Sequence, residues 1–180
     1  MLLLVFEYIY TYIPNAWGSR MSLQDGTSTT GPVAGARSQT RSFNLGAPSR
    51  ELLQLFTAEG ERLWVPGWNP ELLSGGTERG SVFRTLGADG QETVWVVTDF
   101  RPDLGRASYA RIAQGSNMGL VDVHCEPLTA NSTCVTVTYT LTGLSPEGTA
   151  FVQRFLAAQY FSAYIEGWKQ SLDNLLESGQ

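Results

Sequence analysis

SPEGTAFVQRFLAAQYFSAYIEGWKQSLDNLLE, Ser145 to Glu177, is the stretch on which the reading of the chain turns. Its apolar residues Phe151, Phe155, Ala158, Ile165, Trp168, Leu172 and Leu175 recur at helical spacing, with one gap at Ser162, and this pattern predicts a single amphipathic helix. Ser145 supplies an N-cap, Pro146 the first helical position and Glu147 a first-turn carboxylate, while Gly179 lies just past the end. At ~1.5 Å per residue such a helix is on the order of 45 Å long. A helix of that length needs a broad apolar partner, and the chain before it offers a set of strands.

After Gly80 the period of the apolar residues changes from helical to two. The runs SVFRTLG, ETVWVVTDF, RASYARIA, GLVDVHCEP and STCVTVTYTLTGL are separated by the turn-type clusters ADGQ, RPDLG, QGSNM and LTAN, which predicts an antiparallel meander of five strands. In the last run Val135, Val137, Tyr139 and Leu141 alternate with Thr136, Thr138, Thr140 and Thr142, so one face rests on a core and the other is hydroxylated. Directly opposed residues share a face, so Val121 and Val123 belong with that apolar face, in registers such as Val123 opposite Val135 or Val137. Cys125 then points inward and Cys134 outward, which excludes a disulfide between them.

The same alternation places Asp122, His124 and Glu126 together on the outer face. A histidine between two carboxylates has ligand chemistry, but these three form the solvated side of a strand, the chain has no other histidine, and no metal is expected. Trp95, Val97, Tyr109 and Arg111 allow two placements, because the alternate positions Val94, Val96, Phe100, Ala110 and Ile112 are apolar as well. The expectation is the inward one, with Arg111 as a polar anchor among aromatic rings; the other puts Arg111 on the outer face beside Trp95.

Upstream, Ala36 to Ala47 is strand-like and Pro48-Ser49 opens a short helix, RELLQLFTA, with an apolar face of Leu52, Leu53, Leu55 and Phe56. The segment EGERLWVPGWNPELL carries Gly60, Pro66, Gly67 and Pro70, so it reads as a short second helix followed by an irregular loop holding Trp64 and Trp68. Residues 22–35 are Gly/Ser/Thr-rich and linker-like. Met1 to Ile13 is apolar, but it is shorter than the ~17–25 residues of a membrane helix, is interrupted by Glu7, and lacks the basic start and cleavage site of a signal peptide. Three readings stay open for it: an artefactual extension before a start at Met21, an extra element docked on the domain, or a membrane-surface anchor. The expected organisation is an extension over 1–35 and one domain over 36–180.

Composition narrows the function. Of 180 residues 42% are hydrophobic, and the 20 aromatics (5 Trp, 7 Tyr, 8 Phe) exceed what a core of this size needs, leaving rings to line a binding site. The net charge is −5, and Lys169 is the only lysine, so a nucleic-acid partner is not expected. Two cysteines fit a reducing, cytoplasmic setting. The sequence lacks G-x-S-x-G, a phosphate loop, a Rossmann glycine pattern and C-x-x-C, so no cofactor is implied, and Asn131-Ser132-Thr133 reads as a hairpin tip rather than a glycosylated sequon.

Strand, two short helices, meander and long closing helix is the order of the START-like helix-grip fold. The stretches SFNLGAPSRELLQLFTAEGERLWVPGWNPELL, VFRT, TVWVVTDFRPDLGRASYARIAQG, VTVTYTLTGLS and GWKQSLDNLLE resemble the SRPBCC superfamily, which includes polyketide cyclases, lipid-transfer proteins and plant hydrophobic-ligand binders. The closing GW-x-x-x-L-x-x-L is similar to that of the branch resembling activators of a heat-shock ATPase. The resemblance implies an α+β fold: a curved antiparallel sheet of about six strands wrapped around the C-terminal helix, with a cavity between them. It implies a lining of Leu55, Trp64, Trp68, Phe83, Trp95, Tyr109, Arg111, Val123, Tyr139, Phe155 and Tyr164. Glu61, Arg111 and Tyr139 are the candidates for catalytic polar groups; against these stand a helix-surface carboxylate, an exterior arginine and a core tyrosine. The leading expectation is a binder or carrier of a small apolar molecule. A cyclase or dehydratase acting on a polyketide-like substrate comes second and a protein-interaction module third.

Overall fold

The computed structural model describes residues 35–87 and 90–179. The expectations for the extension lie outside the described residues, apart from Gly35. Seven strands form one antiparallel sheet in the spatial order β1, β7, β6, β5, β4, β3, β2. In chain order they are β1 (Arg37–Leu45), β2 (Glu71–Ser74), β3 (Val82–Leu86), β4 (Glu92–Arg101), β5 (Arg106–Ala113), β6 (Asn117–Thr129) and β7 (Ser132–Gly143). The helices are α1 (Ser49–Gln54), α2 (Pro146–Phe155) and α3 (Ala158–Ser178), with 3₁₀ turns at Gly60–Leu63 and Pro102–Leu104. Helix α3 packs on β1, α2 on β7 and β6, and α1 on β6. This is the helix-grip architecture.

The sheet has one strand more than the sequence reading predicts. Strand β2 lies in the segment read as an irregular loop; its four residues are all exposed, so no alternation marks it, and only pairing with β3 (Leu72 opposite Phe83) defines it. The short second helix is the single 3₁₀ turn Gly60–Leu63.

The closing helix is two helices. Ser145 caps α2 as its spacing predicts, its hydroxyl accepting from the Gly148 N–H at 3.0 Å. The buried positions of α2 are Gly148, Val152 and Phe155, and those of α3 are Phe161, Ile165, Trp168 and Leu172. Each series steps by three or four, but the two are out of phase. At ~100° per residue, Phe155 and Phe161 stand about 120° apart around one helix, so a straight helix cannot bury both. Leu156 (φ −88°, ψ 9°) and the extended Ala157 (φ −62°, ψ 134°) reset the phase. Ala158, placed in the apolar stripe by its spacing, is exposed as a result.

Two glycines set the close approaches that position α2. A Cβ at Gly119 would run into the Thr140 backbone oxygen and Leu141, so only glycine lets β6 press on β7 there. A Cβ at Gly148 would meet the Ser116 backbone, which seats the first turn of α2 on the β5–β6 turn.

Register separates the two faces. Val123 opposes Val137, Cys125 opposes Val135, and Cys134 opposes Glu126; both cysteines are free. On the outer face, hydroxyl pairs join β1 to β7 at Ser38–Thr140 (3.0 Å), Thr40–Thr138 (2.9 Å) and Ser42–Thr136 (2.8 Å). Asp122 and His124 lie beside this ladder, and Asp122 accepts from the Ser108 hydroxyl. Further across, Ile112, Met118 and Leu120 stay exposed at 45%, 43% and 44%.

Candidate functional site

The inner face of the sheet carries two groups of rings. Across β3, β4 and β5, Phe83 opposes Trp95, Trp95 opposes Arg111, and Val97 opposes Tyr109. This is the inward placement of Trp95, Val97, Tyr109 and Arg111. A bulge at Thr98 then turns Asp99 outward opposite Ser108 and brings Phe100 inward opposite Ala107, which accounts for Phe100 at the alternate parity, while Val94 and Val96 before the bulge stay on the outer face opposite Ile112 and Ala110. Phe83 and Trp95 stack with centroids 5.7 Å apart, and Trp68 meets both edge-on at 6.3 and 6.0 Å. Tyr109 stands edge-on to Phe83 at 6.3 Å.

The second group lies under the helices. Tyr139 on β7 touches Phe155 (5.4 Å), Phe161 (5.7 Å), Tyr164 (6.2 Å) and Trp168 (6.4 Å). Trp168 in turn meets Trp64 at 5.3 Å and Phe56 at 6.1 Å. Val123 is buried between the groups, and Leu55 packs half-buried at the margin.

Hydrogen bonds from ring edges to the segment after β1 hold these rings in place. Trp64 donates Nε1–H to the Leu55 carbonyl (2.7 Å), Trp68 to that of Ala58 (2.8 Å), and the Tyr109 hydroxyl to that of Phe56 (2.8 Å). Trp95 donates to Thr85 Oγ1 at 3.0 Å. The loop is thus braced on itself through the Leu55 and Ala58 carbonyls and tied to the sheet by Tyr109, and its Trp68 lies against Phe83 and Trp95 on the β3–β4 part of the inner face.

Three polar groups interrupt this aromatic surface. Glu61, on the 3₁₀ turn, keeps some accessible surface as a residue, yet its carboxyl is so enclosed by protein that burial raises its pKa well above the ordinary 4.5. It faces Tyr109, whose phenol is pushed up chiefly by its own burial and further by the Glu61 charge. The Arg111 guanidinium lies 5.2 Å from the centre of the Trp95 ring, and its Nε is buried with no hydrogen-bond partner among the described residues. Asn117, 2% exposed, uses Nδ2 on Ser116 Oγ (2.9 Å) and leaves Oδ1 buried without a donor among the described residues.

The structure brings Glu61, Tyr109 and Arg111 to one side of the inner face. Tyr139 is two strands from Tyr109, through Val121, and belongs to the ring group under the helices. Sequence reading missed Asn117, which it placed in the QGSNM turn. The signal was present: Asn117 continues the inward series Gly119, Val121, Val123, Cys125 at period two.

The chain matches no protein-family model and no curated protein. Its backbone is similar to solved structures. Norcoclaurine synthase from Thalictrum flavum in complex with dopamine and hydroxybenzaldehyde aligns at TM-score 0.61 and 11% identity, covering 90% of this chain and 98% of that one. The Zhui aromatase/cyclase from Streptomyces sp. R1128 aligns at TM-score 0.61 and 13% identity, over 81% of this chain and 97% of that one. Ara h 8.0201 aligns at TM-score 0.54 and 14% identity, over 76% and 99%. The fold is the START-like helix-grip fold. At these identities the likeness carries the architecture alone.

Proposed function

We propose that the protein binds or carries a small, largely apolar molecule on the inner face of its sheet. The observation that supports this most is the uneven cover of that face. Helices pack on β1, β6 and β7, whereas the Trp95 and Arg111 side of β4 and β5 is half-buried and met by Trp68 from the loop. Rings fixed in place beside unpaired polar atoms are the usual makeup of a ligand site. Native mass spectrometry of the purified protein should find a small molecule that is released on unfolding. Titration with apolar fluorophores should quench the tryptophans, and a protein that carries nothing and binds no fluorophore would end this reading. The described residues contain no helix long and apolar enough to cross a membrane. A cytoplasmic setting is part of the proposal, in keeping with two free cysteines.

A second reading, a cyclase or dehydratase, draws on Glu61. A carboxyl whose pKa burial raises well above the ordinary value, set near Tyr109, has the chemistry to deliver a proton to a carbonyl or hydroxyl. Turnover of a poly-β-ketone probe that Glu61→Gln abolishes while apolar-probe binding persists would favour it; equal turnover by both proteins would remove it. The interaction-module reading draws on the exposed outer-face residues Ile112, Met118 and Leu120, and predicts that Leu120→Glu changes the protein's association in sedimentation.

A further inference from the structure

Arg111 places a fixed positive charge on the inner face, and no ion pair among the described residues neutralises it. Its guanidinium lies over Trp95, and Trp95 is itself fixed, stacked on Phe83 and bonded through Nε1 to Thr85. The arginines in ion pairs among the described residues are Arg62 with Glu59, Arg84 with Glu71 and Glu92, and Arg101 with Asp103; Arg111 is in none of them. Its Nε is buried without an acceptor. Arg41, also at an inward position of β1, differs: its donors go to Ser162 Oγ (2.7 Å), the Thr40 carbonyl (2.8 Å) and the Ala158 carbonyl (3.5 Å).

The remaining ionisable groups on this side do not offset the charge. Burial drives the Glu61 carboxyl toward its neutral form and keeps the Tyr109 phenol protonated. A partly buried cation without a counter-charge is unfavourable, and a ligand that supplies one binds with that gain. The guanidinium presents parallel N–H donors suited to a carboxylate.

We infer that the molecule bound here is an apolar ring or chain ending in a carboxylate, with the acid group on the Arg111 guanidinium and the apolar body against Trp68, Phe83 and Trp95. This rests on the ligand-binding reading and adds the chemical class of the ligand. Fixing the guanidinium over the Trp95 ring before the ligand arrives reduces the ordering that binding requires.

The test is calorimetric titration at neutral pH with 2-naphthoate, octanoate and their methyl esters. At least one acid should bind wild-type protein about ten-fold or more tighter than its ester, the order expected of charge-assisted hydrogen bonds. Arg111→Met, which keeps an unbranched apolar side chain over Trp95, should bring that acid down to the affinity of its ester and leave the ester unchanged, with folding checked by circular dichroism. Arg111→Lys should keep part of the preference. Esters that bind wild type as well as the acids would remove the carboxylate assignment alone, as would a preference that survives Arg111→Met. Failure of all four compounds to bind wild type would overturn both this inference and the reading beneath it. Should Arg111→Met not fold, the acid-to-ester ratio in wild type and in Arg111→Lys decides.

Discussion

The rings of Phe155 and Phe161 meet edge-on, centroids 5.9 Å apart and planes at 88°, although six positions separate them in the chain. One helix could not achieve this contact. The break at Leu156 and Ala157 gives up backbone hydrogen bonds and in return places both rings against Tyr139.

Phe161→Ala should therefore be among the most destabilising substitutions in the chain. Its ring is wholly buried, and truncation leaves a cavity at the junction of α2, α3 and β7, a loss of ~3–5 kcal/mol. Phe151, half-buried and stacked on Phe155, should cost less when truncated, about 1–2 kcal/mol. Urea unfolding of the two variants checks the difference. Equal losses would mean that the contact across the break is not where the stability of the closing segment lies.

The two ring groups should separate stability from binding. Trp168→Ala opens the buried group under the helices and should cost ~3–5 kcal/mol. Trp95→Ala removes a half-buried ring that faces Trp68 of the loop, and should weaken binding of an apolar probe more than it lowers the unfolding midpoint. The pair of measurements fails the proposal if Trp168→Ala is the more damaging to binding in a variant that stays folded.

Much of this was legible in the chain, and the parts that were not share a cause. Period-two alternation identified β7 and the faces of Cys125 and Cys134, because each such strand has one side buried and one wet. The seventh strand was hidden because β2 is short and exposed on both sides, so pairing defines it without leaving a pattern. The break in the closing helix was hidden because a stripe through Phe151, Phe155 and Ala158 can be drawn at helical spacing without using Phe161. Among the candidate site residues, the rings stand out in the sequence by composition. The direction of Glu61 does not, because one 3₁₀ turn sends its side chains to three sides and is too short to show a stripe.

The two thiols should react at very different rates. Cys125 is 1% exposed, and burial, with Cys134 adding to it, pushes its pKa up to about 12. Cys134 lies half-buried on the outer face opposite Glu126. In the native protein a thiol reagent at mildly alkaline pH should label one cysteine, Cys134, and unfolding should expose the second. Peptide mapping that finds Cys125 labelled first would contradict the assigned faces of β6.

Glu61 should give the protein a stability that falls as pH rises. In the unfolded chain its carboxyl titrates near its ordinary 4.5, while in the folded chain burial holds the value well above that. Between the two values the folded state carries a proton that the unfolded state has released, so raising the pH favours unfolding. The contribution is fully present below the ordinary value, declines through the window and is lost above the raised one. Glu61→Gln keeps the shape of a neutral carboxyl and removes the titration. Its thermal midpoint should match wild type near the acid end and exceed it increasingly with pH, followed from about pH 4 to about pH 9, the other carboxylates being common to both proteins and cancelling in the difference. Parallel curves for the two proteins would show that the carboxyl is hydrated or paired in solution, and the proton-donor reading of Glu61 would lose its physical basis. A widening gap would instead mark a residue that lowers stability at neutral pH to keep a protonated carboxyl next to Tyr109, a cost more readily explained by chemistry on a ligand than by packing.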